Sequence, residues 1–193
     1  MNSTIRKFFF LLFLAAAVFA AGTAPVNAQQ ANITDVIVTN SEENVIVYLS
    51  LGNCFTPEME EAVFAGITTT FIFTIELYRH RSIWFDKKIS SVTIRHSMKY
   101  DNIKRTLFVS YSHRGVRGEP EQFTDFTKAQ RAMTDLNGVP VAELADLDRG
   151  RRYYVRIRAE LDKVPLPMDI KNTMLFSSLW YFETDWVRQD FVY

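Results

Sequence analysis

The chain has 193 residues, with 22 Lys and Arg against 22 Asp and Glu, three His, one Cys and 48% hydrophobic content, 14% of the chain being aromatic. That much apolar and aromatic side chain excludes a disordered protein, the lone Cys excludes a disulfide scaffold, and seven Gly and six Pro exclude a fibrous or linker-like chain. A formal net charge of zero excludes a uniformly basic protein, although it says nothing about how the charges are distributed.

At the start of the chain, Arg6 and Lys7 precede an uncharged apolar run from Phe8 to Ala21, and Val26-Asn27-Ala28 supplies small residues of the kind a signal peptidase reads. The run is shorter than the ~20 residues a helix needs to cross a hydrocarbon core. Residues 1–28 are therefore expected to be a secretory signal, and 29–193 a single globular domain in the periplasm. The alternative is an uncleaved signal that anchors the protein in the inner membrane. No later stretch is long and apolar enough to predict a transmembrane span. Cys54 is expected to be a buried small hydrophobe, since a lone Cys has no intrachain partner.

Beyond residue 28 the hydrophobic period is mostly two. Ile33 to Thr39 and Asn44 to Leu51 predict a hairpin around Asn40-Ser41-Glu42-Glu43. Thr56-Pro57-Glu58 predicts a helix start, with Met59, Val63 and either Phe64 or Ile67 on its buried stripe and Gly66 as its stop. Thr68 to Phe85 reads as one long strand with Phe71, Phe73, Ile75 and Leu77 facing the core. A turn at Asp86-Lys87-Lys88, a return over Ile89 to Tyr100, a turn at Asp101-Asn102 and a strand over Lys104 to Arg114 complete a meander.

Phe123 to Leu136 changes period: Phe126, Ala129, Met133 and Leu136 predict a helix stopped by Asn137-Gly138. Val139 to Leu147 reads as either a link or a helical turn. Arg151 to Asp162 is a strand, Pro165-Leu166-Pro167 interrupts it, a short helix fits Asp169 to Ser177, and Trp180 to Val192 closes with alternation. The expected fold class is α+β, mainly antiparallel, with about seven strands in a sandwich-like or curved sheet and two or three short helices packed on it.

Catalytic patterns are missing. There is no Gly-x-Ser-x-Gly, no His-Glu-x-x-His and no Gly-rich phosphate loop, and His80, His96 and His113 fall on different strands in registers too far apart to share a metal. No cofactor and no metal site is therefore expected. If the chain were an enzyme, Tyr78, His80 and Asp86 would be the first candidates.

Charge segregation is the informative feature. From Arg79 to Arg117 there are ten basic residues and two acids, and from Arg149 to Arg158 five basic residues and no acid, so the rest of the chain after residue 28 carries −15. In the second segment Tyr153, Val155, Ile157, Ala159 and Leu161 share one parity, while Arg152, Tyr154, Arg156 and Arg158 share the other. With Arg95 and Lys99 on the same side, the sheet would present a cationic face able to grip phosphate or carboxylate groups. The candidate contacts for an anion or partner are Arg79, Arg81, Arg95, Arg152, Arg156 and Arg158, with Tyr78 and Trp84 as aromatic support. The plain alternatives are a solvated strand face for the arginines and core packing for the two aromatics. An envelope protein or an anionic envelope surface fits as partner. Nucleic acid does not, because no recognition module is present. A second reading is a carrier or sensor of an apolar small ligand held between sheet and helices, near Phe71, Phe73, Phe108 and Phe126.

Glu76-Leu77-Tyr78-Arg79-x-Arg81, Trp84-x-Asp86, Tyr100, Pro165-Leu166-Pro167 and the closing Trp180…Thr184-Asp185-Trp186 together resemble the exported bacterial proteins grouped as domain of unknown function 4390. The resemblance spans about Ile33 to Phe191. It implies a bacterial envelope protein, sometimes encoded near a membrane sensor kinase, with no catalytic residues to carry over.

Overall fold

The computed structural model describes residues 30–162 and 181–193. The expected signal segment, the Pro165-Leu166-Pro167 interruption and the helix over Asp169 to Ser177 lie outside these residues. Within them ten strands form two antiparallel sheets, with two helices, so the fold is α+β and mainly β.

The smaller sheet has the order β1-β2-β8, from β1 (Asn32–Asn40), β2 (Asn44–Gly52) and β8 (Asp135–Glu143). The larger runs β10-β9-β3-β4-β5-β6. It is built from β3 (Thr69–Arg79), β4 (Lys87–Asp101), β5 (Thr106–His113), β6 (Val116–Arg117), β9 (Arg152–Leu161) and β10 (Val187–Val192), and β7 (Glu121–Phe123) also pairs with β5. Helix α1 (Pro57–Phe64) begins where the Thr56 hydroxyl accepts the Met59 amide, and Pro57 occupies the first turn, where no amide is needed. Helix α2 (Phe126–Thr134) is capped by the Asp125 carboxylate, which accepts the Lys128 amide at 2.9 Å.

One contiguous core joins the layers. Phe71, Phe73, Ile75 and Leu77 of β3 and Tyr153, Val155, Ile157, Ala159 and Leu161 of β9 meet Val45, Val47, Leu49 and Leu51 of β2, Met59 and Val63 of α1, and Ala129 and Met133 of α2. The period-two pattern therefore reads correctly for both central strands. Phe64 lies at the rim, 38% exposed and edge-on to Tyr100.

Three expectations are corrected. The strand begun near Thr68 ends at Arg79, not Phe85: Phe71 pairs with His96 and Leu77 with Ser90, which centres the turn near Ile83-Trp84 and frees residues 80–86 as a loop. The apolar Ile83-Trp84-Phe85 run imitates strand sequence while lying in that turn. Helix α2 stops at Thr134, and Asp135 to Glu143 is a strand on the free edge of β2, where Gly138 adopts a φ of 74° within an irregular register rather than ending a helix. Among the described residues the strands number ten rather than about seven, because β6, β7 and β8 are short or irregular and carry little alternation.

Candidate functional site

The open face of the larger sheet carries the side chains that alternate away from the core. Across it, Tyr154 of β9 is directly opposite Tyr78 of β3, and Arg156 is opposite Glu76. On the other edge of β9, Arg188 of β10 is opposite Arg156 and Asp190 opposite Tyr154. Cross-strand neighbours on one face of an antiparallel pair lie close enough for their side chains to touch.

The result is an aromatic and cationic cluster. The Tyr78 and Tyr154 rings stack in parallel, with centroids 5.2 Å apart and planes 8° from parallel. Arg188 lies 3.7 Å from the Tyr154 centroid, and Lys88 lies 5.5 Å from that of Tyr78. Arg156 sits 4.4 Å from the Trp186 ring and 5.9 Å from Tyr78, while Arg158 covers Trp186 at 5.0 Å. Rings in this position attract a guanidinium through their negative faces and hold it in one orientation.

Acids are threaded through the same face. Lys88 and the Tyr78 hydroxyl both donate to Glu76; burial opposes ionisation of its carboxyl, yet these bonds outweigh it and hold its pKa below the ordinary value. Arg158 pairs with Glu183 and Glu160, Arg95 with Asp162, and Arg188 with Asp190, whose pKa the Arg188 hydrogen bonds push down. Arg95 and Lys99 do project on the same face as Arg156 and Arg158, but that face is a mosaic of both signs. Arg156 is different: no carboxylate lies within ion-pair distance of it among the described residues.

The other candidates lie elsewhere. Arg79 and Arg81 are at the β3–β4 hairpin, with Arg79 bridged to Asp148. Arg152 is at the same end, its carbonyl accepting the His80 amide. Trp84 is exposed at the hairpin tip, so neither it nor Tyr78 packs into the core. His80 and Asp86 meet at 3.2 Å, but the Tyr78 hydroxyl is engaged with Glu76, so the three groups named as enzyme candidates do not converge. Phe71 and Phe73 are buried in the core, Phe126 packs on Phe55 and Phe64, and Phe108 lies on the opposite face beside a polar concavity with Thr70, Ser97 and Ser110. The four phenylalanines do not share one cavity.

Sequence reasoning missed Trp186 and Arg188. The signal was present in the alternation of Trp186, Arg188 and Asp190, but nothing in it says that this strand lies beside β9. Among the described residues no group of three or more His, Cys, Asp and Glu could hold a metal ion, and no helix is long and apolar enough to cross a membrane.

No curated protein and no solved structure matches the chain. Residues 28–190, however, match the family model described as Domain of unknown function (DUF4390), and this span covers both sheets except the last two residues of β10, the hairpin loop and the aromatic-arginine cluster included. The chain is a member of the DUF4390 family.

Proposed function

We propose that this chain is a non-catalytic binding protein of the bacterial envelope, accessory to a membrane sensor, and that it docks an acidic protein partner on the open face of its larger sheet. The observation that carries the reading is Arg156. It is held between the Trp186 and Tyr78 rings with no carboxylate at ion-pair distance among the described residues, Glu76 opposite it being bonded to Lys88 and Tyr78, beside the stacked Tyr78 and Tyr154. Arg, Trp and Tyr are the residues that dominate binding energy at protein interfaces, because each offers large area or several hydrogen bonds at low entropic cost. A guanidinium already stripped of some water by two rings has less to lose when a partner's carboxylate takes its remaining N–H groups. The basic start and apolar run of residues 6–21 support an envelope location.

The direct test is calorimetric titration against the extracytoplasmic domain of a sensor kinase encoded beside this gene. Arg156→Gln and Trp186→Ala should each weaken binding by about 2 kcal/mol, roughly thirtyfold, as expected of hot-spot residues. Arg95→Gln, whose charge is already matched by Asp162, should change it little. Wild-type affinity in both cluster variants, or no binding by the wild type, would refute the reading.

A further inference from the structure

Three large apolar side chains stand in a row in solvent at the tip of the β3–β4 hairpin: Ile83 is 90% exposed, Trp84 77% and Phe85 96%. The loop that presents them is tied at its base. Asp86 accepts hydrogen bonds from the Arg81 amide at 2.9 Å and the Tyr154 hydroxyl at 3.0 Å, and lies 3.2 Å from His80 Nδ1. A second loop, 147–151, is fastened alongside through Arg79 to Asp148, and Arg151 lines one shallow concavity with Ile83 and Trp84.

The charge around the tip has one sign in excess. Residues 79–88 hold four basic residues and one acid, and residues 148–152 hold three and one. Arg79 and Lys88 are matched by carboxylates, but Arg81, Lys87, Arg149 and Arg151 have none within ion-pair distance among the described residues. An exposed apolar patch rimmed by unneutralised cations is unfavourable in water and fits the boundary of an anionic bilayer, where rings enter the headgroup layer and the cations meet lipid phosphates.

Charge also decides between occupants. A second copy of the chain docking through the same end would set cation against cation. Residues 163–180 carry two Lys and one Asp, a net positive charge that does not complement the cationic tip. Their flank at Asp162 bonds to Thr70, nine residues along β3 from Arg79 and therefore at the far end of the sheet. We propose that the chain docks peripherally on an anionic lipid bilayer, with Ile83, Trp84 and Phe85 entering the interface and Arg81, Lys87 and Arg151 contacting phosphates. This surface adjoins the Arg156–Trp186 face through the Tyr154–Asp86 hydrogen bond but shares none of its contacting residues, and the proposal does not rest on that reading.

The test uses the protein as recovered from the producing cell, with Ser82→Cys carrying an environment-sensitive dye; Cys54 is buried, so the dye enters at position 82 alone. A second preparation carries it at Asn102→Cys in the opposite hairpin. On vesicles of phosphatidylglycerol and phosphatidylcholine in equal parts, the dye at 82 should shift to the blue while that at 102 stays aqueous, and neither should shift on phosphatidylcholine alone. Replacing Ile83, Trp84 and Phe85 together by Ser should abolish the shift, and Arg81→Gln or Lys87→Gln should each raise the lipid concentration needed by about fivefold. A dye at 82 that stays aqueous on the anionic vesicles overturns the proposal, even if the protein sediments with them through its apolar N-terminal run. So does an equal shift on neutral vesicles or at position 102. Loss of the shift with sensor binding intact would remove this proposal alone.

Discussion

Single residues in this chain take their roles from what surrounds them more than from their type. Arg156 and Arg158 sit two positions apart on one strand face, yet Arg158 is neutralised by Glu183 and Glu160 while Arg156 is held by rings. Parity put both on the open face, but it could not say which acids arrive from β10 and the segment before it. Cys54 is the opposite case, because its solitude in the sequence already implied burial. Its thiol is buried, donates to the Leu51 carbonyl, and is pushed up to about 12 chiefly by that burial. Near neutral pH the native protein should thus hold about a thousandfold less thiolate than a thiol of ordinary pKa 9.0. Alkylation by iodoacetamide should be correspondingly slow in buffer and rapid in urea, followed by mass spectrometry. Rapid labelling of the native protein would mean that the link between β2 and α1 opens.

At the level of elements, alternation located the central strands but lost phase where the backbone breaks it. In β1 Ile33 is buried and Ile37 exposed, although both have the same parity. The register shifts between Thr34 and Ile37, and Asp35 takes a φ of 54°, so one extra residue moves Val36 and Val38 to the inner side. A bulge of this kind leaves no periodic trace, whereas β3 and β9, buried along a regular face, could be read residue by residue. β8 was missed for a related reason: Gly138 looked like a helix stop, and it is instead an irregular position in an edge strand. That gives a paired prediction. Gly138→Ala and Gly150→Ala both place a side chain at positive φ, 74° and 72°. Each should cost about 1–2 kcal/mol by urea unfolding, the usual penalty for left-handed backbone. An added methyl at 138 would meet the Tyr48 hydroxyl at 3.2 Å, while nothing lies near 150. Tyr48 is exposed and its ring can swing outward, so the two losses should be similar. A much larger loss at 138 would show that Tyr48 is clamped over the β2–β8 irregularity.

At the scale of the whole molecule the two proposed surfaces adjoin at the Tyr154–Asp86 hydrogen bond without sharing a contacting residue. The aromatic-arginine cluster occupies the open face of the larger sheet, and the apolar tip extends from one end of it, so a chain docked on a bilayer by the tip would still present the face sideways to a membrane-bound partner. Beneath both lies the core, against which the buried imidazole of His96 places its Nδ1 3.0 Å from the Met133 carbonyl. Burial lowers its pKa below the ordinary 6.5, and burial together with the Arg114 charge does the same for His113. On acidification the unfolded chain therefore takes up protons at these positions before the folded one does, and stability falls as pH drops below about 6.5. The carboxylates act in a lower window: Glu76, Asp86, Asp101 and Asp190 have pKa values held below 4.5 or 3.8, so what they contribute is present above those values and lost only as pH falls through them. Between pH 6.5 and 5 the slope thus belongs to the histidines, at most about 1.4 kcal/mol per pH unit for each one that stays neutral. His96→Gln retains a donor for Met133 and has no titration, so it should reduce the slope of denaturant unfolding in that window to what His113 contributes, while leaving the fall below pH 4.5 in place. A slope between pH 6.5 and 5 that survives the substitution of both His96 and His113 would overturn this assignment to the two imidazoles.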